Sequence, residues 1–172
     1  MNYQREEPRL LKFLVTSAAC FFVGTVHGVI QIIHPVRVWL DSIGSPYGGP
    51  GHMIDPLAHA HMNLIGGVVL LVMATTYYLF PRITNKALYS YKLVEHSFWW
   101  TTLGLIAFYS TFMFFGIYEG MLMLDDTSRS TQEQFHATYY PITITIVANA
   151  MGMGFWIFFF NVFMTYRKVR QK

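Results

Sequence analysis

The sequence predicts an all-α fold: an integral membrane four-helix bundle with both termini cytoplasmic. Three observations carry this. The chain is 53% hydrophobic and only 12% charged, whereas about a quarter of the residues of a soluble domain are charged. The apolar residues gather into four runs, each at least about 20 residues and so of bilayer length. If all four runs cross, Arg37 and Arg129 are the only cations on one side, and the other ten of the 12 Lys and Arg fall on the opposite side. The positive-inside rule makes that basic side cytoplasmic. A length of 172 residues suits one domain, read here as a single transmembrane domain over residues 1–172. The expected location is the cell inner (cytoplasmic) membrane, as a multi-pass protein.

The spans follow in order. The first nine residues are mixed in charge, with Arg5, Glu6, Glu7 and Arg9. No small-residue cleavage site follows them, so a cleaved signal peptide is not expected. The first span covers residues 10–34 and stops before Pro35, because proline disfavours helix at the residue preceding it. Residues 41–55 are rich in glycine and proline and read as an ordered loop. The second span covers 56–80, with Pro56 at the helix start, where a missing N–H is harmless. A short basic connection, residues 82–92, leads to the third span at 94–124. An acidic, Ser/Thr-rich connection over 125–134 precedes the fourth span at 139–166, with Pro141 in its first turn.

Several classes of chemistry are excluded at once. Cys20 is the only cysteine, so neither an internal disulfide nor a CxxC metal or c-type haem site can form. There is no HExxH, no nucleotide loop and no Ser-His-Asp candidate outside the spans. The cations are scattered at helix ends rather than gathered on a face, so no nucleic-acid partner is expected. Fifteen Phe, eleven Tyr and four Trp suit a lipid-embedded chain with interfacial aromatics.

Histidines inside apolar helices need an explanation, because lipid cannot satisfy imidazole. In the first span Cys20, Gly24, His27, Gln31 and His34 recur at steps of four, three, four and three, which is one helix face. That stripe reads either as a helix–helix contact with hydrogen-bonded histidines or, the favoured expectation, as a face turned to a cofactor. In the second span His59 and His61 lie about 200° apart on an ideal helix. They therefore serve two sites, or one serves a cofactor and the other a polar neighbour. Asp55, His59 and Asn63 share a face; His61 shares its own with Leu64, Ile65 and Val68. At about 1.5 Å of rise per residue, His27 lies roughly 15 Å from Arg37, and His61 roughly 9 Å from Asp55. Both fall in the outer half of the bilayer, and His136 is shallower on the same side. Imidazole is the common haem ligand, so His61, His27, His59, His136 and His34 are candidate cofactor-binding residues. The first four are the candidate axial ligands of a haem iron. Diagonal helices of a bundle leave more room for a porphyrin than neighbours do, which favours a ligand on the fourth helix as partner to one on the second. His96 reads as interfacial beside Trp99 and Trp100, and His52 fits either role. Glu119 reads equally as a lining of a proton path or as an interfacial carboxylate.

The run His61-Met62-Asn63-Leu64-Ile65, closing with Tyr77-Tyr78-Leu79-Phe80-Pro81, resembles the second transmembrane helix of the catalytic subunit of nitric oxide reductases and related haem-copper oxidases. The resemblance implies that His61 is an axial ligand of a low-spin haem b near the outer surface. His59-Ala60-His61 is also similar to the His-x-His of a later helix in that family, where one histidine binds each of two haems. The family subunit has many more helices than four, and its binuclear-site histidines have no counterpart here. Its second low-spin ligand comes from a helix this chain lacks, so His27 or His136 would have to stand in.

The function expected from these readings is that of a membrane b-type cytochrome subunit. It would bind one or two haem b groups by bis-histidine ligation. It would pass electrons between the quinone pool and an extracytoplasmic partner, as an electron-transfer subunit rather than a catalyst alone. The partners implied are other subunits of a membrane respiratory complex, a quinone as candidate redox partner, and the lipid bilayer. Two alternatives stand beside it: part of a split haem-copper-type oxidase or nitric oxide reductase, and a haem-free membrane scaffold subunit.

Overall fold

A computed structural model of the chain describes residues 8–125 and 127–170. Arg5 and Lys172 of the expected basic side, Glu6, Glu7, and Asp126 of the acidic connection lie outside the described residues. Five helices make up the regular structure of the described residues: α1 Pro8–Gln31, α2 His34–Ser42, α3 Gly49–Thr84, α4 Tyr91–Leu124 and α5 Arg129–Arg170. All except α2 are long and apolar enough to cross a membrane.

Helix bounds depart from the apolar runs at three places, each for a backbone reason. α1 stops at Gln31 rather than at residue 34, and Ile33 is extended, with φ −65° and ψ 126°. Pro35 then sits in the first turn of α2, where its absent N–H leaves no helix bond unmade. The loop expected over 41–55 is partly helical: α2 runs on to Ser42, and α3 already begins at Gly49. Pro56 lies inside α3, behind a break at Asp55, with φ −130° and ψ 112°. Proline pushes the residue before it out of the helical region, so what reads as a helix start is a kink. α5 begins at Arg129, about ten residues or nearly three turns ahead of the expected start at 139, and Pro141 falls well within it. Ser128 caps that start, its Oγ accepting from the Thr131 N–H at 3.4 Å, and Arg129 pairs with Glu133 at 2.8 Å. Apolar runs mark the length of chain in lipid, whereas caps and i,i+4 pairs set where a helix begins.

Winding inside α3 is uneven. Residues 62–69 are wound wider than an α-helix, residues 53–58 carry the kink at Asp55, and His59-Ala60-His61 is a tight α segment between them. Such wide turns often occur at functional sites.

α1 packs along α3, α3 leans its first half on α4, and α4 and α5 form an antiparallel hairpin. α4 is the most enclosed span and α5 the least. At one end lie the start of α1, the connection between α3 and α4, and the finish of α5. Lys12 pairs there with Glu95. The connection is stitched to α5: Ser90 N–H donates to Asn161 Oδ1 at 3.1 Å, and Asn161 Nδ2 returns a bond to the Ser90 carbonyl at 3.0 Å. Tyr89 N–H donates to Thr165 Oγ1 at 2.9 Å. Phe13, Met73, Tyr77, Phe98 and Phe158 fill the core at this end.

α2 clamps the opposite end. The Arg37 guanidinium donates to Asp41 Oδ1 at 2.6 Å and to Asp55 Oδ2 at 2.6 Å, tying α2 to the kink in α3. Ser45 donates to the Asp55 carboxylate at 3.0 Å and accepts from Arg37 at 2.9 Å. Hydrogen bonds to Asp41 and Asp55 hold the Arg37 guanidinium charged beyond its already high range.

Two outcomes follow. A Cβ at Gly24 would meet the Asn63 carboxamide, so Gly24→Leu should lower stability by about 1–3 kcal/mol through overpacking. Thermal unfolding in detergent reads this, with Gly152→Ala as the silent control, since nothing lies within 4 Å of that position. Arg37→Gln removes charged hydrogen bonds and should cost about 1–3 kcal/mol. Hydrogen exchange of residues 43–48 should rise with it.

Candidate functional site

The histidine end of the bundle contains two separate constellations. One lies between α1 and α3. The small and polar stripe of α1 turns towards α3: Ser17 Oγ donates to the Gly67 carbonyl at 2.6 Å, and the Asn63 side chain fills the notch left by Gly24. The His59 ring lies against Gly28, its Cδ2 at 3.7 Å from where a Cβ would stand. The stripe is therefore a close helix–helix contact, because small residues let two backbones approach in lipid. Around Cys20, Gly24 and Gly28 that face is filled by α3, while His27 and Gln31 also border a cleft of about 490 Å³ between α1, α2 and α4.

His27 is buried at the centre of this contact. Tyr109 on α4 meets its Nδ1 at 3.1 Å, and Gln31 Nε2 meets its Nε2 at 3.1 Å. Gln31 Nε2 also donates to the Ile54 carbonyl at 3.1 Å. Gln31 Nε2 can only donate, so Nε2 of His27 accepts, and Nδ1 carries the proton towards Tyr109. Both ring nitrogens of His27 therefore have protein partners. His59 stands beside it, with ring centroids 6.0 Å apart. Its Nδ1 is buried without a hydrogen-bond partner, 4.0 Å from Asp55 Oδ1. His59 and Asn63 line the side of α3 that faces α1, while Asp55, at the kink, turns its carboxylate to Arg37 of α2.

The second constellation lies on the other side of α3. The His61 ring packs on Phe108 and Phe112 of α4, with centroids at 5.0 and 5.6 Å. Its Nδ1 is 2.8 Å from the Leu57 carbonyl one turn earlier. A carbonyl can only accept, so Nδ1 carries the hydrogen and Nε2 presents the lone pair. His59 and His61 thus point to opposite sides, as two residues' separation on a helix dictates.

A cleft of about 370 Å³ opens on the same side, bounded by Leu57, His52, Glu119, His136 and Tyr140 among others. Leu57, whose carbonyl orients His61, is one of its walls. His136 of α5 reaches across to Glu119 of α4, its Nδ1 at 2.9 and 3.0 Å from the two carboxylate oxygens. It stacks on Tyr140, with centroids 4.6 Å apart. A carboxylate only accepts, so here too Nδ1 is the donor, and in the neutral ring Nε2 is the lone-pair nitrogen. Glu119 is buried, with a relative exposure of 7%. His34 stands apart from both groups, exposed at the start of α2. His52 Nδ1 bonds the Pro46 carbonyl at 2.5 Å.

Among the described residues no three His, Cys, Asp or Glu side chains gather as a bare metal site. Tyr109, Leu57 and Arg37 take part in these arrangements without standing out in the sequence. Arg37 had a signal, since it is one of two cations at its end and Asp55 closes the same loop. Tyr109 is one aromatic among many in α4, and the Leu57 contribution is a backbone carbonyl, which no side-chain pattern reveals.

Known proteins resemble this chain along most of its length. Residues 6–148 match the family described as Cytochrome C and Quinol oxidase polypeptide I. The cytochrome c oxidase subunit 1 homolog, bacteroid, of Bradyrhizobium diazoefficiens is 29% identical over 171 residues, covering 95% of this chain and 29% of that protein. The Cbb3-type cytochrome c oxidase subunit CcoN1 of Stutzerimonas stutzeri is 22% identical over 169 residues, covering 94% of this chain and 33% of its own length. The cytochrome c oxidase subunit 1 homolog of Azorhizobium caulinodans is 29% identical over 168 residues, with 94% of this chain and 28% of that one covered. The chain thus spans about a third of the length of these relatives. With four apolar spans and a match over most of its residues, the chain is a multi-pass inner-membrane protein and belongs to the Cytochrome C and Quinol oxidase polypeptide I family.

Proposed function

We propose that this chain is the electron-transfer part of a membrane oxidase of its family, carrying haem b on His61 within a larger respiratory complex. The observation that supports this most is the His61 side chain. Its Nδ1–H is spent on the Leu57 carbonyl at 2.8 Å, which leaves Nε2 as the ligating nitrogen and fixes the ring plane. Metal-ligating histidines are oriented in this way by a carbonyl or carboxylate on the other nitrogen. Phe108 and Phe112 pack apolar surface on the ring. A haem held there supplies one-electron transfer, tuned by its axial ligands and its surroundings.

As the second residue of this chain that would hold the haem we propose His136. Its Nδ1 is likewise anchored, by Glu119, and it borders the cleft of which Leu57 is a wall. His27 has partners on both nitrogens, His59 packs against α1, and His34 is exposed at the helix start. These three serve the reading less well. In the same reading both termini are cytoplasmic, and the histidine end faces the other side. Electrons then pass between the quinone pool and an extracytoplasmic partner. A second reading is favoured by length: the chain spans about a third of its relatives, so the second ligand arrives on another polypeptide of a split oxidase.

Spectra and haem content separate these readings. The purified protein should show sharp reduced-minus-oxidised b-type bands that carbon monoxide leaves unmoved. His61→Ala should abolish haem in the pyridine haemochrome assay, and unchanged haem content refutes the assignment. If His136 is the second ligand, His136→Ala should turn the spectrum high-spin and sensitive to carbon monoxide. If the ligand comes from elsewhere, His136→Ala leaves the spectrum of the assembled complex as it was. Protein free of haem in every preparation leaves the scaffold reading.

A further inference from the structure

The cleft of about 490 Å³ between α1, α2 and α4 falls within the roughly 300–1,000 Å³ of ligand sites. Its walls are apolar, with Val26 and Ile30 from α1, Trp39 from α2 and Met113 from α4. Phe22, one turn before Val26, also lines it and is 70% exposed. Val26 and Ile30 are exposed as well. In a membrane this outer side of α1 meets lipid, so the cleft opens sideways to the bilayer.

Three polar side chains border this apolar space: His27, Gln31 and Tyr109. Their bonds to one another leave two polar groups unspent. Gln31 Nε2 has two hydrogens; one goes to the Ile54 carbonyl and the other to His27 Nε2, each at 3.1 Å. Gln31 Oε1 accepts from no group among the described residues, although the side chain is buried, with a relative exposure of 4%. Unlike His59 Nδ1 and Asn63 Oδ1, that oxygen is not sealed in, and the cleft is the space Gln31 borders. Tyr109 Oη accepts from His27 Nδ1 at 3.1 Å, so its own hydrogen is unspent. Gln31 and Tyr109 meet opposite nitrogens of the His27 ring. A free acceptor and a free donor therefore stand apart, on either side of an imidazole, farther than one hydroxyl can bridge.

We propose that this cleft binds a lipid-soluble hydroquinone, one hydroxyl donating to Gln31 Oε1 and the opposite oxygen accepting from Tyr109. A six-membered ring with oxygens at its two ends spans such a separated pair, whereas an apolar chain or a single hydroxyl leaves one of the two groups unmet. The tail leaves past Phe22 into lipid. The same pair selects the redox state. A quinone has only acceptor oxygens, so it can take the Tyr109 hydrogen but sets a carbonyl oxygen against Gln31 Oε1. Sites built to hydrogen-bond a hydroxyl reject the analogue that lacks it, because a buried polar group is left unpaired. This deepens the proposed function and rests on its reading of the quinone pool as redox partner.

Anaerobic titration calorimetry of the purified full chain tests this with a hydroquinone carrying one isoprenoid unit, its oxidised quinone and the corresponding monophenol. The hydroquinone should bind about tenfold more tightly than either, the effect of one buried hydrogen bond made or missed. Gln31→Met removes the acceptor and should abolish the preference for hydroquinone over quinone. Tyr109→Phe should weaken both. Ile30→Trp, at an exposed position, fills the cleft and should weaken all three compounds. Far-UV circular dichroism shows whether each variant remains helical. Equal affinity for hydroquinone and quinone, a monophenol bound as tightly as the hydroquinone, an undiminished preference in Gln31→Met, or full binding in Ile30→Trp overturns the proposal. Calorimetry needs no haem, so the two readings fail separately. Hydroquinone binding that survives the loss of haem in His61→Ala supports the cleft, and a haem-loaded chain that binds no hydroquinone overturns the cleft alone.

Discussion

Lipid offers no hydrogen bonds, and the rest of this structure depends on that. Each polar group carried into the spans has to find its partner inside the protein. Asn161, fully buried, closes a pair of bonds with the backbone of Ser90, and so a side chain deep in α5 holds the connection between α3 and α4. Tyr77 meets Ser97 at 3.1 Å. Gln31, His27, Tyr109 and the Ile54 carbonyl satisfy one another across α1, α4 and α3. Each of these contacts also fixes the register of two helices, because a shift of one residue would strand a donor or an acceptor in an apolar medium.

Four buried side-chain atoms among the described residues lack partners: His59 Nδ1 and Asn63 Oδ1 on the side of α3 that faces α1, and Thr101 Oγ1 and Thr102 Oγ1 on α4. Asp55 stands 4.0 Å from His59 Nδ1, held in place by Arg37 and Ser45. The α2 clamp, the kink at Asp55 and the histidines therefore form one connected arrangement. The chain bends at Asp55 before His59-Ala60-His61 and winds wide after it.

Much of the architecture was legible in the sequence. Four apolar runs and a few charges define four spans, because the length of a run is set by bilayer thickness and needs no knowledge of neighbours. The divergence of His59 and His61 was legible too, since it follows from helical geometry alone. The stripe of α1 was read differently. Cys20, Gly24, His27 and Gln31 do share a face, but a face of small and polar residues looks the same whether a flat cofactor or another helix covers it. Only the position of Asn63 and of the His59 ring shows that α3 takes that place. Helix ends were also misjudged where proline was involved. Pro56 acts through Asp55 to bend a helix, and Pro35 opens a second one.

By itself, the sequence determined what each segment must avoid or seek: four stretches that leave water, histidines that lipid cannot satisfy, and two of those histidines on opposite sides of one helix. These are local properties, carried by residue type and by the rise and turn of a helix. Which atom of each histidine is engaged was decided only by the tertiary structure. Nδ1 of His61 turns to the carbonyl of Leu57, Nδ1 of His136 to Glu119, and both nitrogens of His27 to Tyr109 and Gln31. A ring nitrogen becomes a ligand, a donor or a spent acceptor according to what lies within about 3 Å of it. Tyr109 reaches His27 and Glu119 reaches His136 from other helices, so helix packing sets those distances, whereas Gln31 and the Leu57 carbonyl lie one turn from His27 and His61 on the same helix.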